Sequence, residues 1–193
     1  MAGEPTEYRV VGELRLDDET AIIFAVYSLN KRRLGSARIY REGKGYAGPT
    51  RSGFDVQLAQ LQQLVTILQN VSQSLEAGTM APPVELGRIS SGSTSEWVVR
   101  LLEPDDYHAD VVLDVRKYVS TEKYTGWTKK GLRFSVDVLD DVLPHLAAVQ
   151  AALDAWREGH SGLFEAGGPI EPDGPTDPPD EALPVPLEYR DLF

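Results

Sequence analysis

One spacing constrains this chain more than any other. The segment Tyr46-Ala47-Gly48-Pro49-Thr50-Arg51-Ser52-Gly53 returns without gaps, 78 residues later, as Tyr124-Thr125-Gly126-Trp127-Thr128-Lys129-Lys130-Gly131. Tyr, Gly, Thr and Gly coincide, and Arg51 is answered by Lys129. A strand-like triplet follows each time, Phe54-Asp55-Val56 or Leu132-Arg133-Phe134, and then a stretch of helical periodicity. An internal repeat of this length implies one supersecondary plan used twice, so it is read before any single element.

The first helical stretch carries Leu58, Leu61, Leu64, Val65, Leu68, Val71 and Leu75 at three- and four-residue spacing, and the second carries Val138, Leu139, Val142, Leu146, Val149, Leu153 and Trp156. Such stripes predict amphipathic helices that bury one side. Ser135 is placed to cap the second helix, with Asp137, Asp140 and Asp141 suited to its positive end. Pro144 predicts a kink, or a later start. Upstream the pattern becomes β-branched and alternating: 10–14 answers 84–89, 21–27 answers 96–102, and 36–41 answers 111–117. These runs read as strands. The expected fold is α+β, two tandem ββββα units over 8–76 and 84–160, paired as a pseudo-dimer. Glu76 to Pro83 contains Gly78 and the Pro82-Pro83 pair, and 77–83 is the expected linker. From 161 to 193 the chain is rich in proline and acid and reads as a disordered tail.

The formal charge is −11, which by itself argues against a polyanionic partner. Its distribution argues the other way. Residues 164–193 hold a net −7, whereas 31–51 hold a net +6 and 116–133 a net +5. Two basic islands in an acidic chain are the pattern of a protein that presents cations locally. No cysteine is present, which excludes disulfides, thiolate metal sites and a cysteine nucleophile. No run approaches the roughly 20 apolar residues of a membrane helix, and Met1 to Pro5 lacks the start of a secretory signal. A cytoplasmic, nucleoid-associated protein of bacterial or phage type is expected.

The segment Val111-Val112-Leu113-Asp114-Val115-Arg116-Lys117-Tyr118, followed by Lys129-Lys130-Gly131-Leu132 and a helix, resembles the transcriptional positive cofactor four family of coactivators. In that family a strand reading Val-Leu-Ile-Asp-Ile-Arg-Glu-Tyr precedes a Lys-Gly-Ile turn into the last strand and helix. The likeness extends over nearly all of the second half. The first half, through Ala37-Arg38-Ile39-Tyr40-Arg41 and Thr50-Arg51-Ser52-Gly53-Phe54, resembles the pattern more distantly. What the resemblance implies is a whirly-like ββββα fold that pairs through its helices and binds single-stranded DNA across two sheet faces. Family members usually carry one such unit and this chain carries two, so either the halves pair with each other or two chains form a homodimer.

Strand alternation puts Asp114, Arg116 and Tyr118 on the face away from the helix if Val111, Leu113 and Val115 face it, and likewise Arg38 and Tyr40 against Ile39. A cation for phosphate beside a ring for stacking suits single-stranded DNA or RNA. The expected binding residues are Arg38, Tyr40, Arg41, Lys44, Tyr46 and Arg51 in the first half. In the second they are Arg116, Lys117, Tyr118, Lys123, Tyr124, Trp127, Lys129 and Lys130. The ordinary reading of Tyr46 and Tyr124 is packing at a strand end, and the paired glycines read as turn positions. Asp105 to Asp110 reads as the loop between two strands rather than a metal site, and His145 and His160 lack partners at catalytic spacing. No phosphate loop is present, so neither an enzyme nor a cofactor is expected. The tip Glu188 to Phe193 is loosely similar to partner-recruiting acidic tails, which leaves a protein-interaction module as the alternative function.

Overall fold

The computed structural model describes residues 6–43, 45–104 and 109–159. The acidic tail, the Glu188 to Phe193 tip, Lys44 and Asp105 to His108 lie outside them. Four strands, β1 (Thr6–Arg15), β2 (Thr20–Leu29), β3 (Arg32–Gly43) and β4 (Tyr46–Val56), lead into helix α1 (Leu58–Glu76). Then β5 (Val84–Gly92), β6 (Ser95–Leu102), β7 (Val112–Ser120) and β8 (Thr125–Ser135) lead through a 3-10 turn at Val136–Val138 into α2 (Leu139–Gly159). The fold is α+β, with one eight-stranded antiparallel sheet in the order β1-β2-β3-β4-β8-β7-β6-β5.

The strands outrun the apolar segments that signal them. β4 and β8 begin at Tyr46 and Thr125, so the polar repeat that reads as a loop is itself strand, paired along β3 and β7. Ladder hydrogen bonds do not depend on side-chain polarity, so an antiparallel hairpin continues through residues whose side chains face water. Ser135 caps the 3-10 turn, its hydroxyl accepting from the Asp137 N–H, and the α-helix opens only at Leu139. Pro144 therefore sits in the second turn and the helix runs through it. At α1 the Gln57 N–H donates to Gln60 Oε1 at 2.9 Å, a capping contact made by glutamines.

One apolar core fills the space between the helices and one face of the sheet. Phe24, Val26, Ile39, Phe54 and Val56 from β2–β4 share it with Trp97, Val99, Leu101, Leu113, Val115 and Phe134 from β6–β8. The helices are exchanged across it. α1 leaves β4 and lies mainly on α2 and β5, touching its own half at β3; Ile67 occupies the space above Gly87 and Gln60 Nε2 donates to the Ser90 carbonyl at 2.9 Å. α2 leaves β8 and covers β1, β2 and β3. A side chain on Gly12 would run into the His145 ring, and Val149 and Leu153 take the space above Gly35. His145 stacks on Phe24 with centroids 4.8 Å apart, so this histidine is a packing residue. Ser72 Oγ donates to Asp140 Oδ1 at 2.8 Å between the helices.

Candidate nucleic-acid interface

The repeat is reproduced bond by bond. Thr50 Oγ1 donates to the Ile39 carbonyl at 3.0 Å, and Thr128 Oγ1 to the Lys117 carbonyl at 3.0 Å. Each threonine oxygen accepts in turn, from Ser52 N–H at 3.1 Å and from Lys130 N–H at 3.2 Å. The Tyr46 hydroxyl donates to the Pro49 carbonyl and the Tyr124 hydroxyl to that of Trp127, the latter at 2.7 Å. β3 slips register between Arg38 and Tyr40, and β7 between Arg116 and Tyr118. Every one of these positions has its counterpart 78 residues away. Gly48 at φ +148° and Gly126 at φ +159° take backbone conformations that side chains resist, and each tyrosine ring lies over its glycine. The glycines thus serve the hairpin geometry, and the tyrosines both clamp it and remain accessible.

Gly53 of β4 is registered opposite Gly131 of β8, the point at which the two halves of the sheet meet. Tyr46 and Tyr124 each begin their strand region seven residues earlier, on antiparallel strands, so the hairpin tips point to opposite ends. At about 3.3 Å per residue each tip stands roughly 20 Å from that junction.

Among the described residues the exposed large apolar side chains are Tyr46 at 53%, Tyr124 at 52% and Trp127 at 38%. All three lie on the basic hairpins. Arg41 and Arg51 are exposed beside the first, and Lys123 and Lys129 beside the second, with Lys130 half-buried.

Several other expected binding residues are otherwise engaged. Tyr40 does face away from the helices, yet it is only 7% exposed, in a cluster with Ala21 and Ile23 that Val10 of β1 packs against. It is not an open stacking ring. Its phenol is pushed well above the usual tyrosine range, by burial first and then by Tyr8. Arg38 is held by Asp55 at 2.7 Å. Tyr27 stacks against Tyr8, centroids 6.1 Å apart, and its phenol is likewise raised by burial and by Asp55. Arg33, in the same basic island, donates to the Trp156 carbonyl at 2.7 Å near the end of α2. Lys117 follows the register slip half-buried, opposite the core residue Trp97, rather than standing out from the sheet.

The second half differs. Asp114 is fully buried, and guanidinium groups from three strands converge on it: Arg100 of β6, Arg116 of β7 at 3.0 Å and Arg133 of β8 at 3.3 Å. Arg116 is therefore bonded to a carboxylate rather than free. Arg100 also lies over the Trp127 ring at 3.9 Å, and Tyr118 meets that ring edge-on with centroids 5.0 Å apart. Arg88 of β5 lies over Tyr118 at 5.7 Å and is gripped by Glu85 at 2.7 Å and Glu96 at 2.9 Å. Those contacts lower the Glu85 carboxyl and raise the Arg88 guanidinium. Sequence reasoning missed Arg88 and Arg100, which lie outside the basic islands. The available signal was strand alternation: Arg100 stands between Val99 and Leu101, whose side chains face the core.

No protein-family model matches the sequence, and no curated protein does. A solved structure, the crystal structure of WHY1 from Arabidopsis thaliana, is similar over 83% of this chain and 97% of that one, at 9% identity and a TM-score of 0.28. A likeness at that level carries no argument about this chain.

Proposed function

We propose that the chain binds single-stranded nucleic acid, DNA in the first place, without strong sequence preference, and that its two halves act as a covalently linked pseudo-dimer. The observation that carries the reading is the coincidence of exposed rings with exposed cations: Tyr46, Tyr124 and Trp127 lie on the same two hairpins as Arg41, Arg51, Lys123 and Lys129. Exposed aromatic rings leave apolar surface in water, and a stacked base covers it at about 1–3 kcal/mol per base. Flanking cations supply the phosphate term. The repeated hairpin geometry and the exchange of helices are what a paired, two-faced binder would use. A role in transcription, as a coactivator, belongs to the same proposal.

Fluorescence titration with single- and double-stranded oligonucleotides of equal sequence, at about 50 and 200 mM salt, tests it. Preference for the single strand and weakening at the higher salt are expected. No binding at the lower salt would overturn the reading in favour of a protein-interaction module.

A further inference from the structure

The two sheet faces, built on one plan, present different chemistry, and the difference goes beyond Trp127 standing where the first half has Pro49. On β1–β4 the surface opposite the helices is closed: Tyr40 is buried with Ala21 and Ile23, Tyr8 stacks on Tyr27, and Arg38 is neutralised by Asp55. On β5–β8 the same surface carries a ladder of two touching rings between two cations, Arg88 on Tyr118, Tyr118 edge-on to Trp127, and Trp127 under Arg100. Arg100 is fixed from below by the buried Asp114. Its Nε–H is buried with no hydrogen-bond partner. The ladder holds Trp127 in one orientation while 38% of it stays open to solvent.

We propose that this ladder is a preformed nucleobase site, that Trp127 is its stacking platform, and that Arg100 is a positioning residue. The corresponding place on the first half does not hold a base. The inference rests on the single-strand reading above and deepens it, assigning the strongest stacking contact to one half of the chain. An unpaired base is required, because in a duplex both faces of each base are already covered by neighbours. A ring held in place before binding loses little side-chain freedom on contact, which favours stacking. Cation–π contact with Arg100 polarises the indole and fixes its tilt. Lys129, exposed two residues along β8, lies close enough in sequence to meet the phosphodiester of a base seated there.

The test uses the full chain and a single-stranded oligothymidylate of about ten nucleotides, near the footprint of one binding surface. Binding is followed both by intrinsic tryptophan emission and by a label on the oligonucleotide. Trp127→Ala is expected to lower affinity about tenfold or more, whereas Tyr46→Ala, which removes an exposed ring outside the preformed site, is expected to cost less, about threefold. Trp127→Phe keeps a ring, so its affinity stays within about threefold, but quenching by the oligonucleotide disappears, because Trp97 is in the core and Trp156 is on α2. Arg100→Gln is expected to reduce quenching and affinity together while far-UV dichroism is unchanged. Wild-type affinity in Trp127→Ala, equal losses in Trp127→Ala and Tyr46→Ala, or quenching that persists in Trp127→Phe would each overturn the site while leaving single-strand binding intact. Absence of any binding by the unaltered chain would overturn both.

Discussion

Gly53 of β4 and Gly131 of β8 face each other at the point where the two halves of the sheet join. Each also packs against its own hairpin partner: a Cβ on Gly53 would meet the Ala37 carbonyl at 2.7 Å, and one on Gly131 the Val115 carbonyl at 2.5 Å. The obstacle is backbone in both cases, and backbone cannot rotate away. Gly131 adds φ +156°, a conformation that side chains rarely adopt. Gly131→Ala is therefore expected to destabilise the fold by about 1–3 kcal/mol or more, read as a lower urea midpoint. An unchanged midpoint would show that β7 and β8 have room to part.

The buried Asp114 carboxylate is the shared partner of Arg100, Arg116 and Arg133. Asp114→Ala leaves three guanidinium groups crowded together without their anion. A loss of about 3–5 kcal/mol is expected, again by urea denaturation. Asp55→Ala, which strips one arginine of a half-buried partner, should cost clearly less.

Tyr27 and Tyr40 are held protonated by burial, with folded-state values above the unfolded ones. A raised value stabilises the fold at every pH below the unfolded one, and that contribution is lost as pH rises beyond it. The loss therefore begins near about pH 10, at about 1.4 kcal/mol per pH unit for each phenol. Tyr27→Phe should flatten the fall in stability between neutral and strongly alkaline solution. Parallel profiles for the two proteins would contradict the assignment.

Exchange of the helices predicts that neither half folds alone. Leu61, Leu64, Leu68 and Val71 of α1 are buried, α1 packs mainly on α2 and β5, and β1–β3 are covered largely by α2. A fragment of residues 1–81 should lack a cooperative thermal transition as a monomer, and adding the fragment 82–193 should restore one. A monomeric first fragment with its own sharp transition would exclude this dependence.

Much of this was legible along the chain. The 78-residue repeat, the two apolar stripes and the alternation that turns Asp114, Arg116 and Tyr118 away from the helices depend on spacing alone, since helix and strand periods are local properties. The threonine and tyrosine hydrogen bonds of the two hairpins also join residues close in sequence, or paired across a short turn, so like segments make like bonds. The burial of Tyr40 was not legible, because it depends on β1 returning Val10 and Tyr8 to the same surface. Nor was the gathering of Arg88 and Arg100 with Trp127, which come from three strands brought side by side. Which helix covers which strands is equally non-local: an apolar stripe states that a surface must be buried and does not name its partner. The sequence by itself determined the order of the elements, their repetition and the basic, aromatic segments, though not that those segments continue the strands. Tertiary structure alone decided the exchange of helices and the inequality of the two faces, because both arise from contacts between residues that no period or motif relates.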